Sequence, residues 1–380
     1  MLKRYKLSNY DFRLVIYITI ISVIGFLVIR SAANGDTATI NRQLTGIIAG
    51  SVIMLGISLI PYDKVLRFAF VIYGACNAFL VAVVINGIFR NNARRWIKLP
   101  ILGQIQPSEF CKIGIVLFMA CLLYKYGDKI NKAHYLFITL ILAAIPLVLI
   151  LIEPDLSTTI VLFIAIMCMI YVSGISYKWI VGTLIVLAPC VAIFFILLQN
   201  GMVPFLKEYQ ANRILAWLDR EAYSSLNLQQ NNSIMAIGSG QLVGKGLNNN
   251  TLASVKSGNF LSEEQTDFIF AVVGEEMGFV GCLVVIILYA CIVYECMYLA
   301  HKARDMMGRL ICTGIAAIVA FQSFCNIAVA TGIFPNTGLP LPFISFGSSS
   351  PLSLYIGFGF VLNVGLLRRG NIRERGDFLL

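Results

Sequence analysis

Charge is scarce in this sequence. Only 13% of its 380 residues are Asp, Glu, Lys or Arg, where a water-soluble domain carries roughly 25%. That shortage excludes an ordinary soluble surface. Histidine is scarcer still: His134 and His301 are the only two. Both fall in segments assigned below to the inner side of a membrane, so chemistry on the outer side must do without imidazole. None of the ten Cys lies in the longest polar stretch, which argues against a disulfide framework or a CxxC redox or zinc site there. Nucleotide-binding loops are missing too. In GSGQLVGKGL (238–247), Ser239 and Gly246 stand where a P-loop has Gly and Ser or Thr, and Val243 stands where a GxGxxG motif has its third Gly. On spacing alone that segment reads as a flexible turn. No small-residue cleavage site follows the basic head MLKRYK, so the first apolar run reads as an uncleaved span.

What the chain has instead is oil: 58% of its residues are hydrophobic. A membrane-crossing helix needs about 20 mainly apolar residues, and ten such runs are present, at roughly 14–30, 44–60, 65–89, 109–124, 135–152, 156–172, 179–199, 268–294, 309–333 and 342–367. The expected fold is an all-α polytopic membrane protein, one domain over 1–380, with a long outer loop at 200–266 between the seventh and eighth spans. With the N-terminus inside, 17 of the 29 Lys and Arg and 7 of the 19 acids fall on the inner side. The whole net charge of +10 then lies on the cytoplasmic face, with both termini there. The charge is a topology signal and not a sign of nucleic-acid binding.

Most connections are short, but 200–266 is not. Its pieces KEYQANRILAWLDRE and QQNNSIMAI are amphipathic and predict short helices on the bilayer surface. NNARRWIKLP (91–100) puts Arg94, Arg95, Trp96 and a Lys on the outer side, against the charge rule. It reads either as an interfacial anchor or as a cationic groove for a phosphate-bearing lipid. In QPSEFCKIG, Glu109 and Lys112 are one helical turn apart and can pair. In IEPDLSTT, Glu153 and Asp155 flank Pro154 in a tight turn, with Asp155 placed to cap a helix.

The stretch SEEQTDFIFAVVGEEMGFVG (262–281) gathers Glu263, Glu264, Asp267, Glu275 and Glu276 at the mouth of an apolar run. Asp267 can cap that helix, or act as a general base whose proton affinity is raised by partial desolvation. Glu275 and Glu276 lie deeper, and at least one of them needs a cavity or a basic partner.

Together, NNARRWI, QPSEFCK, EPDLSTT, AIGSGQLVGKGL, EEQTDFIFAVVGEEMGFVG and NIAVATGIFPNTGLPLPFISFGSSS resemble, in order from about residue 90 to 351, the SEDS family of bacterial cell-envelope proteins, in its RodA-like branch. The resemblance implies a ten-helix plasma-membrane enzyme that polymerises peptidoglycan from lipid II on the outer face, releasing undecaprenyl pyrophosphate. It works beside a class B penicillin-binding protein among membrane lipids. Asp267 matches the family's essential aspartate, Trp96 its RW tryptophan, Glu109 and Lys112 its PSE…K pair, and Glu263 the Glu upstream of the aspartate. Arg94, Arg95, Arg213 and Lys245, or a divalent cation such as Mg or Mn, could stabilise the leaving pyrophosphate. Three departures bear on loop geometry: Ser262 for Pro, Ser157 for Gly, and Phe346 with Ser348 in place of Tyr and Gly. Two other functions fit the same helices, a lipid II flippase or transporter and a non-catalytic scaffold for the penicillin-binding protein. A carrier places its essential charges near mid-membrane, whereas these lie at the outer edge.

Overall fold

The computed structural model describes residues 9–33, 35–90, 93–99, 103–199, 208–219, 222–223, 227–247, 265–347 and 349–368. A helix occupies each of the ten expected apolar runs. In order these are α1 (Phe12–Ala32), α2 (Thr37–Ser58), α3 (Tyr62–Val65) running through a 3₁₀ turn into α4 (Ala69–Asn86), α5 (Pro107–Tyr126), α6 (Ala133–Ile152), α7 (Leu156–Val172), α8 (Tyr177–Gln199), then α11 (Ile269–Lys302), α12 (Met306–Ala330) and α13 (Ser349–Leu366). Eight helical stretches among the described residues are long and apolar enough to cross a bilayer, while Leu156–Val172 is shorter. In hydrocarbon every backbone polar group needs an internal partner, which is why these runs take up helix.

Aspartates set several starts. Asp11, Asp36, Asp155 and Asp305 each accept a hydrogen bond from a backbone N–H in the first turn of α1, α2, α7 and α12. Such caps satisfy donors that a helix end leaves open. The interior is built on α5, α12 and α13, buried through most of their length, whereas α2, α4 and α6 expose most of theirs. α13 packs on α2, α12 on α7 and α11, and α5 on α4.

Three features depart from the sequence expectation. First, NNARRWIKLP is not simply a loop. Strands β1 (Ile88–Arg90), β2 (Ala93–Leu99) and β3 (Gly103–Ile105) form a small antiparallel sheet over the end of α5. Second, the last helix starts at Ser349 and not near 342. Residues 338–346 are irregular, with Phe343 in a left-handed backbone (φ 63°), and Phe343 is buried against Tyr355 and Phe358. Third, the two expected surface helices form as α9 (Glu208–Leu218) and α10 (Leu228–Ser239), but α10 docks on the bundle. It buries Gln230, Asn232 and Ser233, and Gln230 Nε2 and Ser233 Oγ donate to the Val329 and Ala330 carbonyls at 2.8 Å. Both carbonyls lie in the last turn of α12, where the regular helical donors run out.

Candidate active site

The segment 331–346, between α12 and α13, is a hub on which Asp267, Ser157, Arg213 and, through Gln322, the Glu109–Lys112 pair converge. On one side stands Asp267, half-buried in the turn before α11. It is not at the N-cap position of that helix: that position belongs to Phe268, which makes no side-chain cap bond. The backbone around Asp267 is tied down instead. Asn326 Nδ2 donates to the Asp267 carbonyl at 2.8 Å and to the Leu339 carbonyl at 2.7 Å. Ser345 Oγ donates to the Thr266 carbonyl at 2.6 Å, and Phe346 N to the Gln265 carbonyl at 2.8 Å. Gln265 Nε2 reaches the Ala32 carbonyl of α1 at 3.2 Å. Gly338 has φ 73°, and a Cβ there would lie 3.3 Å from Asp267 Oδ2. The 338 turn therefore walls one side of the carboxylate.

On the other side is the charged pair of α5. Lys112 Nζ lies 2.9 Å from Glu109 Oε1, and the two side chains are 0% and 3% exposed. The ammonium also donates to Gln322 Oε1 of α12 at 3.2 Å, and Gln322 Nε2 donates to the Pro340 carbonyl at 2.9 Å. The pair thus reaches the 338–340 turn through one amide. From α7, Ser157 Oγ donates to the Thr337 carbonyl, which gives the Ser at this position a partner on the hub. From α9, Arg213 Nη1 donates to the Asn336 carbonyl at 3.4 Å and Trp217 Nε1 to the Ile333 carbonyl at 2.9 Å.

The sheet contributes its cations unequally. Phe89 faces Arg94 and Ile88 faces Trp96, so Arg95 is the extra residue of a bulge, a device that re-aims a side chain. Its guanidinium donates to the Glu153 carbonyl at 3.4 Å and to the Pro154 carbonyl, and lies 3.8 Å from Asp155 Oδ1. Asp155 also accepts from Gln106 Nε2 at 2.9 Å. Arg94 stays exposed and Trp96 half-buried. Glu153 is 1% exposed and neither of its carboxyl oxygens has a hydrogen-bond partner among the described residues. Burial, with the Asp155 charge adding to it and Arg95 opposing, pushes its pKa up to about 9. Lys245 stands apart from the hub, with Nζ 2.7 Å from Glu275 Oε1; Glu276 Oε1 accepts from Ser31 Oγ. Glu263, Ser262 and Ser348 lie outside the described residues.

The sequence reading missed Gln322 and Asn326, whose side-chain amides hold the hub. A signal was present: two amides four residues apart on one face of an apolar run, at a depth where polar groups need a reason. Among the described residues no group of three or more His, Cys, Asp or Glu converges.

Known proteins with this arrangement can now be compared. Peptidoglycan glycosyltransferase MrdB of Escherichia coli is 32% identical over 91% of this chain and 91% of its own length. A probable peptidoglycan glycosyltransferase FtsW of Bacillus subtilis is 32% identical over 96% of this chain and 93% of its own. Among solved structures, one described as a peptidoglycan synthase complex coordinating polymerization and crosslinking superposes with a TM-score of 0.79 at 28% identity, covering 94% of this chain and 97% of that one. The rod shape determining protein RodA of Thermus thermophilus superposes with a TM-score of 0.70 at 26% identity, over 95% and 98%. A family model described as a cell cycle protein, FtsW/RodA/SpoVE, matches residues 9–369, and the chain belongs to that family.

Proposed function

We propose that the chain is a peptidoglycan glycosyltransferase that polymerises lipid II into β-1,4-linked glycan on the outer face of the bacterial plasma membrane, with Asp267 as general base. The observation that supports the reading is that Asp267, unlike Asp11, Asp36, Asp155 and Asp305, stands outside the N-cap position of its helix. It is half-buried beside a turn fixed by two neighbouring helices, α7 and α12. In the displacement, the 4-hydroxyl oxygen of one lipid-linked disaccharide attacks the anomeric carbon of another. Its proton passes to the Asp267 carboxylate, and the bond to the pyrophosphate oxygen breaks with its electron pair on the leaving group. One-step displacement inverts the anomeric centre. Arg94 and Arg213 are exposed cations at the same end of the bundle and suit the departing pyrophosphate, with Trp96 at the interface and Glu263 as a further binding group. Arg95 is held by the 153–155 turn.

The reading includes ten spans, both termini in the cytoplasm and a class B penicillin-binding protein as transpeptidase partner. The test is purified protein, with and without that partner, given labelled lipid II. Asp267→Asn removes the basic oxygen at constant size and should lower polymerisation by at least about 10²-fold with folded yield intact. An Asn variant running near the wild-type rate refutes the assignment and moves attention to Glu263.

A further inference from the structure

We propose that Lys245 is a positioning residue. The 241–246 loop is inserted into a break in α11 and locked by the Lys245–Glu275 ion pair, and this insertion aims the short arm 269–277 that begins at Asp267. The inference rests on the reading of Asp267 as the base.

The break is at Gly278, whose φ of 65° and ψ of −164° lie where only glycine is comfortable. In an unbroken helix the N–H groups of 279 and 280 would bond to the carbonyls of 275 and 276. Here both of those bonds are replaced, one for one, by the loop. Phe279 N donates to the Gln241 carbonyl at 2.8 Å and Val280 N to the Leu242 carbonyl at 3.1 Å. In return, Lys245 N donates to the Glu275 carbonyl at 2.9 Å and Gly246 N to the Glu276 carbonyl at 3.0 Å. All four groups exposed by cutting the helix are satisfied, as membrane depth demands.

Side chains are excluded from the contact. A Cβ on Gly244 would fall 2.2 Å from the Glu276 carbonyl oxygen, and one on Gly278 2.3 Å from Gly244 N. Gly240, where a Cβ would fall 1.9 Å from the Gly274 carbonyl oxygen, and Gly244 therefore let two backbones meet. Residues 245 and 275 are then joined a second time by the 2.7 Å ion pair, its carboxylate 3% exposed.

The mechanical consequence follows from length. Gly278 and Asp267 are eleven residues apart, about 16 Å at 1.5 Å rise per residue. A tilt of about 4° at the break displaces the end of that lever by about 1 Å, and misplacement by about 1 Å can cost about 10²-fold in rate. The competing role, Lys245 as a direct ligand of the substrate's pyrophosphate, makes opposite demands on Glu275.

The two roles separate in steady-state kinetics of the purified full chain on labelled lipid II, measured on the monodisperse fraction. As a positioning pair, Lys245→Met and Glu275→Gln each lower kcat by about 10- to 10²-fold, with KM held within about twofold. The double variant is no worse than either single one, and Lys245→Arg recovers most of the rate. Glu275→Gln at wild-type kcat overturns the proposal, as does a loss in Lys245→Met expressed in KM. A lowered melting temperature with unchanged kcat also overturns it, since the pair would then be structural only. Asp267→Asn run in parallel keeps the two readings apart. If it is inactive while Glu275→Gln is normal, the positioning role fails and the base stands; if it is active, the base itself fails.

Discussion

Truncating Glu109 is the sharpest test of how the site is supported. Glu109 and Lys112 sit one turn apart on α5, 2.9 Å from atom to atom, with exposures of 3% and 0%. Neither charge has water to return to. Removing one partner of a buried pair leaves the other uncompensated and costs about 3–5 kcal/mol. In Glu109→Ala, Lys112 keeps only its 3.2 Å contact to Gln322 Oε1, a neutral acceptor that stabilises an ammonium far less than a carboxylate does. At about 1.4 kcal/mol per tenfold, that cost shifts the folding equilibrium by between roughly 10²-fold and several thousand-fold. Thermal unfolding monitored by size exclusion should show a clear drop in midpoint, and detergent-extracted yield should fall with it. The apolar double variant Glu109→Leu/Lys112→Met is expected to recover much of the stability, because replacing both charges of a buried pair is often neutral or better. Its polymerisation should stay impaired, since Gln322, which positions the Pro340 carbonyl, loses its cationic partner. A Glu109→Ala protein that melts like the wild type yet fails to polymerise refutes the structural reading and moves the pair into the catalytic site.

Three further outcomes follow from the geometry. Ser157→Gly removes the hydroxyl that donates to the Thr337 carbonyl; it should cost about 1 kcal/mol and lower the lipid II turnover of the folded protein several-fold, and unchanged turnover counts against this tether. Glu153 has a folded pKa of about 9, raised by burial above the ordinary carboxyl range, so between roughly pH 4.5 and 9 the unfolded chain releases a proton that the folded one retains. Stability therefore falls as pH rises through that window, by up to about 1.4 kcal/mol per unit, and Glu153→Gln should melt increasingly above wild type from pH 5 to pH 8; parallel melting curves sink this assignment. With the native Cys removed, Ser225→Cys in the 200–266 loop should react with an impermeant thiol reagent in intact cells, and labelling only after permeabilisation reverses the topology.

The helices were legible because a bilayer leaves the backbone few choices; each apolar run became one. The Glu109–Lys112 pair was legible for a similar reason, since two opposite charges one turn apart in an apolar segment have few other partners. The sheet at 88–105 was not. Its strands are short, and its longest one carries Arg94, Arg95 and Lys98, which mask any alternation of polar and apolar residues. The start of α13 was misplaced because 342–347 is as apolar as a span. What ends the helix pattern there is Phe343's left-handed backbone, held by Tyr355 and Phe358, contacts that no local sequence pattern encodes. The 238–247 segment looked slack because the need for Gly240 and Gly244 lies in a second backbone, that of 274–277.

Asp267 illustrates how a general rule can point to its own exception. An aspartate just before a helix is best read as a cap, and for Asp11, Asp36, Asp155 and Asp305 the reading holds. At Asp267 the helix begins one residue later, and Phe268 takes the capping position with no side-chain bond. Phe268 is buried at 1% exposure, so packing and not capping fixes where α11 starts. The bonds from Asn326 and Ser345 to the carbonyls of 267 and 266 hold the turn in that register. A carboxylate just outside the N-cap position, on a backbone so firmly held, has its place set by the fold. The same logic makes Asn326→Ala informative. It deletes donors to both the Asp267 and Leu339 carbonyls, freeing the base and its wall together. Its loss in kcat should therefore exceed that of Ser157→Gly, which loosens the wall alone.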